Sequence, residues 1–331
     1  MKSLILPPLS TLYGAVTRTR LALYRRGTFR TTKLDRPVIS VGNITAGGTG
    51  KTPLVEWVAK TLAGAGKKVC ILTRGYGREN PQQQVVVSDG TTILATPAES
   101  GDEPYLLATN LLGSAAVISN ADRVAAGRYA RETFNTDCFV LDDGFQHLRL
   151  ARDLNIVTID ATNPWGGGQL LPHGRLREPL TGLIRADCVV LTRCDQAEDL
   201  EDLRGQIRSF IRGLPLFESS MRAVNAPLTT APVAAFCAVG NPESFFAQLR
   251  KHGYTLNFQK AFTDHHSYTQ KDVAELIKEA KRAGAKGLVT TAKDAVKLRS
   301  LSFSLPWHVF EIEIEIKNES AFAELIEAAS A

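Results

Sequence analysis

The sequence predicts an α/β protein built on a mostly parallel sheet flanked by helices. Short apolar runs typical of buried strands alternate with stretches of helical periodicity over most of residues 38–212. A glycine-rich segment joins the first of these runs to a helix. The chain has 331 residues, 44% of them hydrophobic, and this exceeds one typical domain, so we also expect a second, smaller α/β lobe.

The first element, residues 1–34, is predicted to be a basic amphipathic helix that belongs to the first lobe. It holds seven of the 39 lysines and arginines and none of the 34 acidic residues, although the whole chain has a net charge of only +5. Its apolar residues recur at helical spacing: Leu9, Leu12, Tyr13, Val16, Leu23 and Tyr24. This pattern is typical of a helix attracted to an anionic membrane surface, and it fits equally well a helix packed on its own domain.

The glycine-rich segment, "VGNITAGGTGKTP", runs from Val41 to Pro53. The phosphate-binding motif G-x-x-x-x-G-K-[ST] requires glycine where this chain has Thr45. The other features suit an anion: glycines let successive N–H groups turn inward, Lys51 adds a mobile charge, and Thr52 offers a hydroxyl to Mg²⁺ at a helix N-terminus. A flexible linker is the alternative, but the flanking strand and helix favour a nucleotide-phosphate site of the P-loop NTPase type.

The remaining elements of the first lobe follow in order. Strand-like runs are predicted at 68–74, 115–119, 138–144, 154–160 and 187–193, and helices are predicted at 103–112, 121–134 and 199–212. One of these runs, "CFVLDDG", delivers Asp142 and Asp143 to the sheet edge at which the glycine-rich segment also begins. An acid in that position holds Mg²⁺ in phosphate-transferring enzymes, although buried strands also end in Asp simply to cap a turn.

After about Phe217 the composition changes, and a proline-rich stretch leads into new strand and helix patterns. We expect a P-loop domain over residues 35–225, a smaller α/β lobe over 226–306, and a strand and helix over 307–331 that return to the first lobe. The five cysteines have no CxxC spacing and an odd count, so they are interpreted as reduced core residues of a cytosolic protein.

Six segments, in this order, resemble one known family: "VGNITAGGTGKTP", "LTRGYGR", "GDEP", "LDDGFQH", "LPHGRLREP" and "FTDHHSY". Together they are similar to tetraacyldisaccharide 4′-kinase, the lipid A 4′-kinase of Gram-negative bacteria, and the likeness spans most of the chain. That family also lacks the first glycine, so Thr45 agrees with it. The resemblance implies transfer of the γ-phosphoryl group of ATP to the 4′-hydroxyl of an acylated glucosamine disaccharide 1-phosphate, which forms lipid IVA.

The resemblance also implies roles for individual residues and a location. ATP phosphates would be bound by the segment Thr45, Ala46, Gly47, Gly48, Thr49, Gly50, Lys51 and Thr52, with Lys51 also catalytic. Mg²⁺ would lie near Thr52, Asp142 and Asp143. Asp102 of "GDEP" matches the catalytic carboxylate, and His265 matches a histidine that acts with it. The same crevice would be lined by Tyr76, Glu103, Arg123, Gln146, His147, Arg177 and Glu178. The partners implied are the lipid substrate and an anionic membrane surface, with no nucleic acid or protein partner, at the cytoplasmic face of the inner membrane.

The sequence also permits purely structural explanations of two of these motifs, and two other functions. "GDEP" has the composition of an ordinary helix N-cap followed by an acidic first turn, and His265 could cap the helix that begins near Thr269. A GTPase switch is suggested by "VVLTRCDQ", in which Thr192, Arg193 and Asp195 resemble a guanine-reading loop, but the D-x-x-G signature fails at Leu141. A lipid-binding scaffold without activity would explain the basic arm and leave the glycine-rich segment without a purpose.

Overall fold

The computed structural model describes residues 2–224, 231–264 and 266–331. The expected lobe boundary at 225/226 and the predicted site residue His265 lie outside these ranges. The strands are β1 (Val38–Asn43), β2 (Val69–Thr73), β3 (Val85–Ser88), β4 (Ala115–Ser119), β5 (Cys138–Asp142), β6 (Leu154–Asp160), β7 (Cys188–Thr192), β8 (Leu216–Ala223), β9 (Val233–Cys237), β10 (Leu256–Ala261), β11 (Gly287–Thr291), β12 (Trp307–Phe310) and β13 (Ile312–Ile316).

The α-helices alternate with these strands over most of the chain. They are α1 (Lys2–Arg25), α2 (Lys51–Gly64), α3 (Pro97–Ser100), α4 (Asp102–Asn110), α5 (Arg123–Phe134), α6 (Leu200–Phe210), α7 (Pro242–Lys251), α8 (Gln270–Arg282), α9 (Ala292–Leu298) and α10 (Glu319–Ala329). In the described parts of the chain, no helix combines the length and the apolar character that a membrane span needs.

A nine-stranded sheet forms the first lobe, in the order β13-β8-β7-β6-β1-β5-β2-β4-β3. All neighbours in it are parallel except the two edge pairs, β13 with β8 and β3 with β4. Every residue of β1, β2, β4, β5, β6 and β7 is buried, as expected for strands covered by helices on both faces. The predicted α/β class with a mostly parallel sheet is confirmed.

A four-stranded parallel sheet, in the order β10-β9-β11-β12, forms the second lobe. The chain returns to the large sheet at Ile312, not at residue 307 as expected, because Trp307–Phe310 pairs with β11 and only Ile312–Ile316 pairs with β8. The helix of the N-terminal arm also ends before residue 34. It stops at Arg25 because Gly27 takes a left-handed conformation with φ of 71°.

Helix α1 packs on the first lobe through one face and leaves another face exposed. The Ser10 hydroxyl donates to the carbonyl of Leu170, and the Tyr13 hydroxyl donates to the carbonyl of Arg177, both at 2.9 Å. On the other face Leu12 is 62% exposed and Val16 is 60% exposed. Tyr13 therefore lies on the docked face of the helix, whereas Leu12 and Val16 lie on the exposed face.

Candidate active site

The glycine-rich loop lies between β1 and α2, at the carboxyl edge of the large sheet. Gly47 has φ of 114° and Gly50 has φ of 78°, conformations that residues with a Cβ rarely adopt. A Cβ at Gly47 would lie 2.3 Å from Nη2 of Arg175, and one at Gly50 would lie 2.9 Å from Cε of Met221. Glycine at these two positions is therefore favoured by the turn of the loop, and a side chain there would also displace the ends of the Arg175 and Met221 side chains.

The segment 175–177 runs alongside the start of this loop. The Ala46 amide donates to the carbonyl of Arg175 at 2.6 Å, and the Arg177 amide donates to the carbonyl of Ile44 at 2.7 Å. Arg175 also reaches the second lobe, since its guanidinium donates to the Gly240 carbonyl at 3.1 Å. This backbone pairing brings the motif "LPHGRLREP", more than 120 residues away in sequence, to the glycine-rich loop.

The loop is braced from the other side by the end of β7. The Thr192 hydroxyl donates to the Thr49 carbonyl at 3.0 Å, and the Arg193 guanidinium donates to the Gly48 carbonyl at 2.9 Å and pairs with Asp160. Asp195 forms an ion pair with Lys251 of α7 at 2.6 Å. The segment that resembled a guanine-reading loop therefore holds the glycine-rich loop and binds the second lobe.

Lys51, Asp143 and Arg177 form a contact cluster at the end of β5. The Lys51 ammonium lies 3.5 Å from Oδ1 of Asp143, and the Arg177 guanidinium lies 2.7 Å from Oδ2. Burial opposes ionisation of Asp143, but the two cations outweigh it and lower its pKa to about 2. Asp143 also has φ of 50°, so the turn after β5 aims its carboxylate at the cations.

The neighbouring Asp142 has the opposite electrostatic environment. It is 6% exposed, and its Oδ2 accepts a hydrogen bond from the Thr73 hydroxyl at 2.8 Å. Burial raises its pKa to about 6, with smaller contributions from the negative charges of Glu103 and Asp143. The contribution of Glu103 shows that the start of α4 lies close enough to the end of β5 to act on it electrostatically.

The predicted magnesium ligands fit a hard cation by their chemistry. Asp142 and Asp143 supply carboxylate oxygens, and Thr52 in the first turn of α2 supplies a hydroxyl. The raised pKa of Asp142 marks a buried carboxylate that a positive charge would stabilise in its ionised form. In the described ranges no three His, Cys, Asp or Glu side chains are grouped as a metal site, so further ligands would come from nucleotide phosphates and water.

Helix α4 places Asp102 and Glu103 against the second lobe. Gly101 precedes them with φ of 93°, and a Cβ there would lie 2.8 Å from the Tyr76 carbonyl oxygen. Asp102 lies 3.3 Å from the Lys297 ammonium, and Glu103 lies 2.9 Å from the Lys293 ammonium.

His265 is not described, but both of its neighbours approach α9. Asp264 lies 3.5 Å from the Lys293 ammonium, and the His266 carbonyl accepts from Lys297 at 3.2 Å.

The other predicted crevice residues are described in two groups. The first group, Gln146 and Glu178, is joined by a hydrogen bond. Gln146 donates to the Asn43 carbonyl at 2.8 Å and to Glu178 at 2.7 Å, and Glu178, which is 1% exposed, pairs with Arg185. The second group comprises Arg123, His147 and Tyr76. Burial lowers the pKa of Arg123 to about 10 and that of His147 to about 4, so His147 is neutral near pH 7. Tyr76 is 68% exposed.

Several residues that complete this arrangement were not singled out by the sequence analysis. Lys293 and Lys297 belong to the segment "TTAKDAVKL", and their spacing of four on a helix is the one signal that could have marked a shared face. Arg175 carries no local signal, because its role depends on a contact with a distant glycine.

Comparisons with known proteins agree with the resemblance seen in the sequence. A family model described as tetraacyldisaccharide-1-P 4′-kinase matches residues 2–331. The tetraacyldisaccharide 4′-kinase of Geobacter metallireducens is 46% identical over 89% of this chain and 88% of its own length, and that of Geobacter sulfurreducens is 43% identical over 92% and 87%. The crystal structure of LpxK from Aquifex aeolicus in complex with ATP superimposes with a TM-score of 0.77, at 31% identity and with 100% of both chains covered.

The match extends over the whole chain, so it includes the basic arm, the glycine-rich loop, the two strand-end acids and the second lobe. The sequence resemblance is thereby confirmed. This chain belongs to the tetraacyldisaccharide-1-P 4′-kinase family.

Proposed function

We propose that this protein is an ATP-dependent kinase that phosphorylates the 4′-hydroxyl of an acylated glucosamine disaccharide 1-phosphate and forms lipid IVA. The observation that carries the proposal is the cluster of Lys51, Asp143 and Arg177 beside the glycine-rich loop. It gathers two cations and a carboxylate at the edge of the sheet where the loop can receive an anion. The whole-chain membership of the kinase family supports the same activity.

In this proposal the residues 45–52 bind the phosphates of ATP. Loop N–H groups and the N-terminus of α2 face the phosphates, and Lys51 stabilises the charge that develops on the β and γ groups during transfer. The bond between the β–γ bridging oxygen and the γ-phosphorus breaks, a bond forms from the sugar oxygen to that phosphorus, and ADP leaves. Thr52, Asp142 and Asp143 would hold Mg²⁺, which neutralises phosphate charge when it is bound.

The acceptor hydroxyl must lose a proton late in this transfer. We assign that proton to the Asp102 carboxylate, with His265 acting together with it. Asp102 is suited by position: it begins α4 at the junction of the lobes, and the adjacent Glu103 acts electrostatically on Asp142 of the nucleotide edge. The substrate crevice is proposed to be lined by Tyr76, Glu103, Arg123, Gln146, His147, Arg177 and Glu178.

Helix α1 is proposed to hold the enzyme on an anionic membrane, at the cytoplasmic face of the inner membrane. Its exposed Leu12 and Val16 would enter the lipid interface. The same helix contacts the proposed site, because Tyr13 donates to the Arg177 carbonyl and Arg20 donates to the Gln146 carbonyl at 3.1 Å.

The decisive experiment incubates the pure protein with labelled ATP and an acylated disaccharide 1-phosphate and measures phosphorylated lipid. Lys51→Ala is expected to lower kcat by at least about a hundredfold, because the lost ammonium stabilises the transition state. Lys60→Ala, an exposed lysine on the same helix, is the matched control and should retain wild-type kcat. Turnover of GTP in preference to ATP would favour the switch interpretation, and the absence of both ATP binding and phosphorylated product would favour the scaffold.

A further inference from the structure

The second lobe presents two lysines to the start of α4. Lys293 and Lys297 are four residues apart on α9, so they lie on the same face of this helix. Their ammonium groups reach Glu103 at 2.9 Å and Asp102 at 3.3 Å, and their side chains are only 17% and 8% exposed. Each lysine thus meets one of two consecutive acids on the other lobe.

Lys297 makes a second contact, with His266. Its ammonium donates to the His266 carbonyl at 3.2 Å as well as facing Asp102. One buried ammonium therefore joins the first turn of α4 in the first lobe with His266 in the second. A cation with this little exposure is held by such partners, because an unpaired charge in that position would be costly.

Helix α9 is itself fixed in place by a buried carboxylate. Asp294 is fully buried and accepts from the Ala238 amide at 3.1 Å, the Tyr268 hydroxyl at 3.1 Å and the Thr291 hydroxyl at 2.7 Å. The helix can therefore hold the Lys297 side chain in one position relative to the second lobe.

We propose that Lys297 is a positioning residue for phosphoryl transfer, which orients the Asp102 carboxylate toward the acceptor hydroxyl. The inference rests on the proton-accepting role proposed above for Asp102. An aspartate in the first turn of a helix can take several rotamers, and a fixed ammonium selects one of them. A misplaced carboxylate slows the chemical step without weakening nucleotide binding, because the contacts of Lys297 described above are with Asp102 and His266, outside the glycine-rich loop.

The same contacts would be present if Lys297 only held the two lobes together, so the experiment has to distinguish this structural role from a positioning role. The lobes are also joined by Arg299, whose guanidinium donates to the Tyr105 hydroxyl at 2.6 Å, and by the pair of Lys251 with Asp195. Lys251→Met removes an inter-lobe ion pair away from α4 and is therefore the matched control.

The experiment measures kcat and the KM for ATP, with labelled ATP and an acylated disaccharide 1-phosphate. Lys297→Met keeps the length and apolar stem of the side chain, and we expect kcat to fall at least about tenfold while the KM for ATP stays within about twofold. Lys251→Met is expected to keep a near-wild-type kcat, and any change it causes is expected in the KM for ATP, because its partner Asp195 belongs to the segment that braces the glycine-rich loop. Thermal melts of both variants, with Lys297→Gln as a second neutral variant, show whether the fold is retained.

The same assay is repeated in an Asp102→Asn background under single-turnover conditions. If Lys297 acts through Asp102, then Lys297→Met causes no further loss there. Losses that multiply, or a Lys297→Met enzyme as active as the Lys251→Met enzyme, would overturn the inference and leave the kinase assignment intact. Wild-type kcat in Asp102→Asn would instead contradict the proton-accepting role of Asp102, and the inference with it.

Discussion

At the scale of single residues, two adjacent acids at the end of β5 show how environment divides their duties. Asp143 faces Lys51 and Arg177, which hold its pKa at about 2. Asp142 is buried beside Thr73, and its pKa is about 6. Asp143 follows the last residue of β5 and has φ of 50°, so the turn directs its carboxylate to the cations, while Asp142 remains in the strand beside Thr73. Of the two acids, Asp142 is therefore the one whose ionised form a bound cation would stabilise more.

The raised pKa of Asp142 predicts a stability effect in the nucleotide-free and metal-free protein. Its folded-state pKa of about 6 exceeds its ordinary value of 3.8, so the ionised form destabilises the folded state increasingly as pH rises from 3.8 through 6. Asp142→Asn should therefore raise the free energy of unfolding at pH 7.5, by on the order of 1–3 kcal/mol, and raise it less at pH 4.5. Urea unfolding at both pH values measures this.

Asp143→Asn is the control, because the pKa of Asp143 is shifted in the opposite direction. Its ionised form contributes stability above pH 3.8 that is lost as pH falls through about 2, so the substitution should destabilise the protein at pH 7.5. Equal gains from Asp142→Asn at both pH values would contradict the burial argument.

At the scale of elements, α1 is a helix with two distinct faces. One face docks through Ser10 and Tyr13, and the other exposes Leu12 and Val16. The amphipathic pattern indicated a membrane-surface helix or a packed helix, and the structure shows a helix that packs and still keeps an apolar stripe free. The two interpretations are therefore compatible within one element.

The exposed stripe predicts a selective loss of membrane binding. The double substitution Leu12→Ser and Val16→Ser should weaken binding to vesicles of anionic lipid by on the order of 1–3 kcal/mol, because two apolar side chains no longer leave water. Thermal stability should be unchanged, since both side chains are already exposed in the fold. Vesicle co-sedimentation measures the binding, and Leu94→Ser, at a residue 55% exposed elsewhere on the first lobe, is the control.

The basic residues of α1 and the turn after it predict a salt-dependent contribution. Neutralising Arg18, Arg25 and Arg26 should cost about 1 kcal/mol each in binding to the same vesicles, and high salt should reproduce the loss. Binding that resists the apolar substitutions, the charge substitutions and salt would assign α1 a purely structural role.

At the scale of the whole molecule, the last 20 residues join the second lobe back to the first. Strand β13 pairs with β8 at the edge of the large sheet, and α10 packs on α2. Phe322 lies at the centre of this contact, with its ring 5.2 Å from Trp57 and 4.7 Å from Phe217. The lobes are thus linked at two places in sequence, which limits how far they can separate.

Because α10 packs into the core of the first lobe, Phe322 is predicted to stabilise that lobe. Phe322→Ala should lower the free energy of unfolding by about 3–5 kcal/mol, because it leaves a cavity between α10, α2 and β8. Phe210→Ala, at a ring 39% exposed, should cost about 1 kcal/mol or less. Chemical denaturation measures both, and equal losses would show that α10 is not part of the core.

Features that depend on neighbours along the chain could be predicted from the sequence. The alternation of buried strands with helices, the glycines before Lys51 and the acids at the end of β5 are all read from local spacing, because backbone conformation and burial follow short-range patterns. The same local patterns carried the family resemblance that the comparisons confirmed.

Which distant charges meet depends on how the elements pack in three dimensions, and this could not be predicted from the sequence. Arg177 reaches Asp143 because residues 175–177 pair with the glycine-rich loop, and Lys297 reaches Asp102 because α9 of one lobe packs on α4 of the other. The return to the large sheet at Ile312 was expected at residue 307 for the same reason. Ion pairs and docking contacts across such separations follow from how the elements pack, and residue spacing carries no information about that packing.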